Sequence, residues 1–424
     1  MKNILFLLLS ISTFSQGYTS YFTGNTTNIT TNTEFGVCLM GGATENDNAI
    51  KWLMQKANGG DIVVLRCTGT SGYNNYMYSG LGLTVNSVET LVITSAAGAT
   101  NPYVLNKVAN AEMIWFAGGD QSNYVNFFKN NALEDLLNAH VNTKNAPIGG
   151  TSAGMAILGG KYFSALNGSV TSAQAMANPY VSNVTLGNND FLNIPFLSNV
   201  ISDTHFDNPD RKGRFATFLA RYKQDFGGTT YGIASNEYTA VCIDNSGKAR
   251  VFGDYPNYPE YAYFVQPNCE NPNGIENCNA NQALTWNFNG LALKVYKVPG
   301  TQTGTNFFNV TNWESLVGQG GTWENWSVVS GTFGLTGGNA PSCLLQTKSF
   351  YEKIISIIPN PIQDEFIVDG INSGTIFVYD ALGKLLVKQD LQISKIIKST
   401  HFNSGIYFVK IQNEHEVYSQ KIIK

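Results

Sequence analysis

The chain is poor in charge. Only 13% of its 424 residues are Asp, Glu, Lys or Arg, against roughly a quarter in ordinary globular chains, and the net charge is −4. No basic face exists to follow a phosphate backbone, so an electrostatic nucleic-acid binder is excluded. No Lys/Arg run marks a membrane surface either. Histidine is scarce, with four residues, and the six cysteines include no Cys-x-x-Cys spacing. Without that or a His-x-x-x-His pair, no zinc centre is expected, and the chemistry requires neither metal nor cofactor. Beyond the N-terminus no segment approaches the ~18 continuous apolar residues of a membrane span.

The remaining composition is 43% hydrophobic and 12% aromatic, enough for one large core and a smaller one. Gly, Asn, Thr and Ser fill the surface in place of charge, as in extracellular proteins. Lys2 followed by the apolar run Ile4 to Ile11 reads as a signal peptide over 1–15, cleaved before Gln16; a buried N-terminal strand is the alternative. The mature protein is then expected to be soluble and secreted or held at the cell surface. Cys269 and Cys278 lie nine apart in a Pro/Asn/Gly-rich loop and form the best disulfide candidate. Cys38, Cys67 and Cys242 fall in apolar runs and read as buried free thiols; Cys343 is undecided.

From Tyr18 to Val298, apolar runs alternate with helical stretches. Phe35 to Met40, Asp61 to Cys67, Val88 to Thr94, Met113 to Phe116 and Ala146 to Gly150 read as buried strands. Glu45 to Ala57, Ser122 to Lys129 and Leu133 to Val141 read as helices. Apolar strands separated by helices predict an α/β fold with a mainly parallel sheet covered on both faces. A catalytic domain is placed at 18–300 and an accessory extension or linker at 301–352. The segment 353–424 holds short β-patterned runs with turn residues every 8–12 positions, expected to form a small β-sandwich.

Three clusters carry chemistry. In Gly149-Gly150-Thr151-Ser152-Ala153-Gly154, an apolar strand runs into a sharp turn whose glycines let substrate reach Ser152. Helix-start amides there, Ala153 among them, are placed to hold an oxyanion. The same letters also describe a tight turn with a serine cap. Gly118-Gly119-Asp120-Gln121 follows another apolar strand and so reaches the same carboxyl edge of the sheet. Gly119 there offers a second oxyanion donor and Gln121 a substrate contact; Asp120 as an ordinary helix cap is the alternative. Asp203-Thr204-His205-Phe206 supplies His205 as general base, because His401 and His415 fall in the C-terminal segment and His140 ends a helix, where a cation suits the dipole. Arg211 and Arg214 follow; arginines near a base suit carboxylate recognition, while a solvated helix face is the alternative.

Together and in this order, Gly118–Gln121, Gly150–Gly154, Asp203-x-His205-Phe206 and Arg211-x-Gly213-Arg214 resemble the cyanophycinase and dipeptidase E group of serine peptidases, peptidase family S51. Gly232-Ile233-Ala234 leading to Glu237 looks like that family's later strand. The resemblance spans roughly Val37 to Asp254 and implies a fold similar to class I glutamine amidotransferases. It implies Ser152 as nucleophile, His205 as base, and Gln121, Asp203, Arg211 and Arg214 around the substrate. The family order of nucleophile, acid and base directs the search for the third member between Ser152 and His205. Gln174 stands there, and Asp190 and Asp203 are the only carboxylates. Pro209 occupies a position where cyanophycinases carry a further arginine. The implied substrate is an aspartyl peptide, cyanophycin or a small dipeptide; the remaining reading is a secreted peptide binder that has lost turnover. A homodimer is compatible with the fold. Pro359-Asn360-Pro361, Tyr379 to Lys384 and Gly405-Ile406-Tyr407 are similar to type IX secretion sorting domains, which implies the type IX machinery as a partner.

Overall fold

A computed structural model describes residues 16–271, 274–311, 313, 317–342, 356–370, 373–412 and 417–424. The expected signal peptide and Cys343 lie outside them. The chain divides into two compact units, Met1–Ser342 and Cys343–Lys424.

In the first unit the apolar runs become strands β1 (Tyr18–Gly24), β2 (Gly36–Met40), β3 (Asp61–Arg66), β4 (Ser87–Ile93), β5 (Met113–Phe116) and β6 (Ile148–Thr151). The order β4-β3-β5-β6-β2 is parallel throughout. Every residue of β2 and of β5 is buried, as a parallel sheet covered on both faces requires. Helices α1 (Asp47–Lys56), the single turns α2 (Gly72–Asn75) and α3 (Ala96–Ala99), α4 (Pro102–Asn110), α5 (Gln121–Phe128) and α6 (Ala132–Asn142) connect these strands. Their starts are written locally. Asn46, Asn101, Asp120 and Asn131 each accept a backbone amide from the first turn, the usual work of Asn and Asp at a helix start.

The chain continues through α7 (Ala153–Ala156), β7 (Lys161–Phe163), α8 (Ser172–Ala177), β8 (Leu186–Asn188), β9 (Val200–Asp203), α9 (Lys212–Phe226) and β10 (Tyr231–Ser235). Then come β11 (Ala240–Asp244), β12 (Lys248–Phe252), β13 (Tyr261–Pro267), β14 (Leu293–Pro299), β15 (Phe307–Asn309), β16 (Gly318–Gln319), β17 (Thr322–Val329) and β18 (Thr332–Gly337). Strands β11, β12, β15 and β16 extend the first sheet beyond β2, and β1 closes its other edge, all antiparallel. The rest form an eight-stranded sheet, β18-β17-β14-β13-β10-β9-β7-β8, in which β9 is parallel to both β10 and β7. The α/β expectation holds, with this second sheet an addition to it. Residues 301–342, expected as an accessory extension or linker, instead supply β15 and β16 to the first sheet and β17 and β18 to the second. Trp326 on β17 is fully buried and stacks on Phe206 at 6.0 Å, which ties that stretch to the core.

Two further expectations change. Cys269 is disulfide-bonded, but Cys278 is a free thiol. Cys278 is buried with Leu284, Trp286 and Val328, so the Cys269–Cys278 bond is not made. His140 is no cation at a helix end. It is buried, and its Nε2 lies 3.0 Å from the Pro147 carbonyl. Burial first, and the nearby Lys144 charge, pull it from its ordinary 6.5 down to about 4.

The second unit contains β19 (Ser356–Ile358), β20 (Glu365–Asp369), β21 (Thr375–Asp380), β22 (Leu385–Asp390), β23 (Ile396–Lys398), β24 (Ile406–Gln412) and β25 (Val417–Ile423). They pair as β19-β20-β23 and β22-β21-β24-β25, antiparallel throughout. Alternation is strict in β20, where Phe366 and Val368 face in and Glu365, Ile367 and Asp369 face out. The inward residues of both sheets form one core with Ile376, Val378, Val409 and Ile411, as expected of a small β-sandwich.

His140 gives a test with a defined sign. Unfolded, the imidazole takes up a proton near 6.5; folded, not until about 4. Between those values the unfolded chain binds more protons, so stability falls as pH drops through that window, by about 3 kcal/mol in all. Urea midpoints of the wild type and His140→Gln across that range check this. The variant should lose that part of the slope, and equal slopes would sink the assignment.

Candidate active site

The end of β6 turns abruptly into α7. Ser152, at the bend, has φ 52° and ψ −119°, a conformation that non-glycine residues rarely hold and that surrounding packing must impose. A Cβ on Gly154 would lie 2.3 Å from the Phe116 carbonyl oxygen. Only glycine there allows the turn to press against β5 and lift Ser152 above the sheet edge. α7 is a single turn, so its dipole contributes little; what matters is the local direction of the amides.

Three consecutive carbonyls at the end of β2 hold the surroundings. Met40 accepts the Ser152 N–H at 3.0 Å, Gly41 the His205 N–H at 2.8 Å, and Gly42 the Tyr238 N–H at 3.0 Å. His205 follows β9 with φ 46°. Its ring packs close to Gly42, where an added Cβ would sit 2.4 Å from Nε2. Thus Ser152 Oγ and His205 Nε2, 53 positions apart in the chain, come to 2.8 Å.

The third partner is Glu237. Its Oε1 lies 2.6 Å from His205 Nδ1, and Asn208 donates to Oε2 at 3.4 Å. The His205 contact is the main cause holding the Glu237 carboxyl below its ordinary range, so it is ionised at neutral pH. Gln174, expected in this role, is elsewhere. It is exposed at the start of α8, where its Oε1 accepts from the Thr171 N–H and hydroxyl at 3.1 and 3.0 Å in a reciprocal cap. Asp190 is bonded to Lys129 and to the Tyr162 hydroxyl. Asp203 is committed to Arg214, whose Nε and Nη2 reach its two oxygens at 2.8 and 2.5 Å. None of the three meets the imidazole. Glu237 follows β10 as His205 follows β9, two parallel neighbours. The signal that marks Ser152 and His205, a polar residue just past an apolar strand, therefore marks Glu237 too; the assumed order of residues hid it.

A cavity of about 370 Å³ opens beside Ser152, lined by Gly119, Gln121, Ala153, Phe163, Asp203, Arg211 and Arg214 among others. The structure therefore gathers every predicted site residue except Gln174. Gln121 Nε2 reaches the Phe163 carbonyl at 3.5 Å. Asp120 caps α5 through the Ser122 N–H at 2.9 Å. The Asp203–Arg214 pair is buried, with side chains 4% and 5% exposed. Arg211 lies 3.9 Å from Asp203 and donates to the Thr204 carbonyl at 2.9 Å, while its Nε is buried with no hydrogen-bond partner among the described residues. Burial first, then the Arg214 charge, lowers the Arg211 pKa. Asp203 thus faces two guanidiniums, and Asp120 lines the same cavity. Among the described residues no His/Cys/Asp/Glu group has the makings of a metal site.

Comparison with known proteins agrees with the motifs. Residues 70–251, a stretch that holds Ser152, His205 and Glu237, match the model of peptidase family S51. Residues 356–424 match the secretion system C-terminal sorting domain. No curated protein matches. Among solved structures, a peptidase from an acI-B1 Actinobacterium is similar at 17% identity and a TM-score of 0.39, over 54% of this chain and 93% of that one. The chain thus carries a region that matches peptidase family S51 followed by a secretion sorting domain, a combination that supports a secreted or cell-surface peptidase.

Proposed function

We propose that this peptidase is of the serine type and removes aspartyl residues from peptides, with β-Asp-Arg polymer (cyanophycin) as the first substrate to try. The observation that carries the reading is the relay Ser152 Oγ–His205 Nε2 at 2.8 Å and His205 Nδ1–Glu237 Oε1 at 2.6 Å. In it, Ser152 attacks the substrate carbonyl while His205 takes the hydroxyl proton. Glu237 fixes the imidazole tautomer and stabilises the imidazolium that forms. The amides of Gly119 and Ala153 hold the oxyanion. His205 then protonates the leaving amine, and water repeats the sequence to free the acid.

Substrate choice follows from the cavity wall. Both Asp203 oxygens are engaged by Arg214, which leaves Arg211 to seat the aspartyl carboxylate, with Gln121 as a further contact. A small aspartyl dipeptide or isopeptide fits the same wall; release of products from polymer against hydrolysis of β-Asp dipeptides distinguishes the two. The peptide-binder reading drew its force from a neutral Gln174 beside the base. With an ionised carboxylate in that place, turnover is the better reading.

Two predictions follow from this assignment. Ser152→Ala abolishes turnover and fluorophosphonate labelling, and Glu237→Gln lowers kcat by roughly 10⁴-fold, as when a triad acid loses its charge. Gln174→Ala, by contrast, leaves kcat intact and costs about 1 kcal/mol through the lost helix cap, read as a lower Tm. The opposite pattern, with Gln174 essential and Glu237 dispensable, would overturn the triad. For the pocket, Arg211→Met should cut kcat/KM for aspartyl substrates about 10- to 100-fold, the scale of one lost charged hydrogen bond, while asparaginyl analogues change little. Equal losses on both would remove Arg211 from recognition.

A further inference from the structure

Two thiols that the mechanism does not use face each other one strand from the catalytic turn. β2 and β11 run antiparallel, with Leu39 opposite Val241 and Cys38 opposite Cys242. The Gly41 N–H donates to the Thr239 carbonyl at 2.8 Å, so that rung is hydrogen-bonded. Bonded and non-bonded rungs alternate, which makes the Cys38–Cys242 rung, three steps along, a non-bonded one. In that class Cα atoms approach to about 4.5 Å, inside the roughly 4.4–6.8 Å that a disulfide needs. Both side chains are fully buried and both are free thiols. The Cys242 thiol lies within hydrogen-bond reach of Cys38 and 4.0 Å from the Ala49 carbonyl of α1.

The chain carries a secretion sorting domain and already holds one disulfide, at Cys269. It therefore matures where thiols are oxidised. We propose that Cys38 and Cys242 are a redox modification site that closes into a cross-strand disulfide as the exported chain folds. The oxidant is a thiol–disulfide compound, RS–SR. One cysteine thiolate attacks it and expels RS⁻, leaving a mixed disulfide; the second thiolate displaces the remaining RS⁻. The Cys38–Cys242 bond forms, RS–SR is reduced to two RSH, and these take up the two protons the cysteines gave up. In the finished fold, burial pushes the Cys242 thiol well above its ordinary range, and thiols so held are poor nucleophiles. The bond accordingly forms while β2 and β11 pair, before α1 covers them. It encloses residues 38–242, a loop containing Ser152, His205 and Glu237, and it clamps the strand whose end holds Ser152 and His205 to the strand that begins three positions after Glu237.

The test is peptide mapping by mass spectrometry of the full-length protein, refolded in a glutathione/glutathione-disulfide buffer and alkylated in denaturant without reductant. The expected result is a linked pair of peptides containing Cys38 and Cys242, lighter by two hydrogens than the separate thiols. Recovery of both cysteines in alkylated form would overturn the proposal, and the Cys269 bond in the same digest reports that the buffer was oxidising. A second measurement compares the drop in Tm on adding reductant to the wild type and to the Cys38→Ala/Cys242→Ala variant. The wild type should fall by about 5 °C more, and equal drops would refute a stabilising bond.

Discussion

The end of β2 is the constraint on which the site depends. Its last carbonyl and the two that follow accept amides from three chain segments that are remote in sequence: Met40 from Ser152, Gly41 from His205 and Gly42 from Tyr238. Each bond is worth only about 1 kcal/mol net. Their value is geometric, because they fix three loops against one rigid, fully buried strand. Catalytic geometry tolerates displacements of a fraction of an ångström, and backbone pinning of this kind supplies that tolerance where side-chain packing alone does not. Gly42 adds a second constraint, since its lack of a side chain lets the His205 ring lie against the backbone.

The other wall of the cavity is built on different physics. Asp203 and Arg214 are almost completely removed from water, and two buried ions repay their desolvation only with good geometry and further hydrogen bonds. The bidentate contact provides the first. Arg214 Nη1 toward the Val170 carbonyl, at 3.3 Å, and the Asp203 bond from the Thr204 N–H, at 2.8 Å, provide the second. This satisfied pair leaves Arg211 as the one cation of the wall with an unengaged donor. The same pair explains why Asp203, only two residues from His205, does not serve it: its oxygens are already spent on a guanidinium.

What was legible in the sequence divides along the range of the interactions involved. The buried strands were plain, because a run such as Ile62-Val63-Val64-Leu65 is apolar wherever it is read, and one helix start was marked by Asp120. The alternation of Glu365-Phe366-Ile367-Val368-Asp369 likewise gave away the small sandwich. The places of β15 to β18 in the two sheets were hidden because these strands lean on distant partners such as Phe206 rather than on any local pattern. The Cys269–Cys278 pairing failed for a related reason: nearness along a loop says nothing about which thiol the core takes in.

The confusion of Gln174 with Glu237 has the same root, and the backbone shows it. Ser152, His205 and Tyr238, the three residues pinned by the end of β2, have φ of 52°, 46° and 62°. None is glycine, and each such conformation costs about 1–3 kcal/mol unless the surroundings compel it. No local propensity selects these angles. They accompany the fastening of the three loops to one strand, and Glu237, beside the turned Tyr238, meets the imidazole there. Gln174 sits by contrast in a capping arrangement made with its own neighbour Thr171 and has no part in the relay. At this site, residues explained by their neighbours in the chain are structural, and those that defy local preference converge on the imidazole.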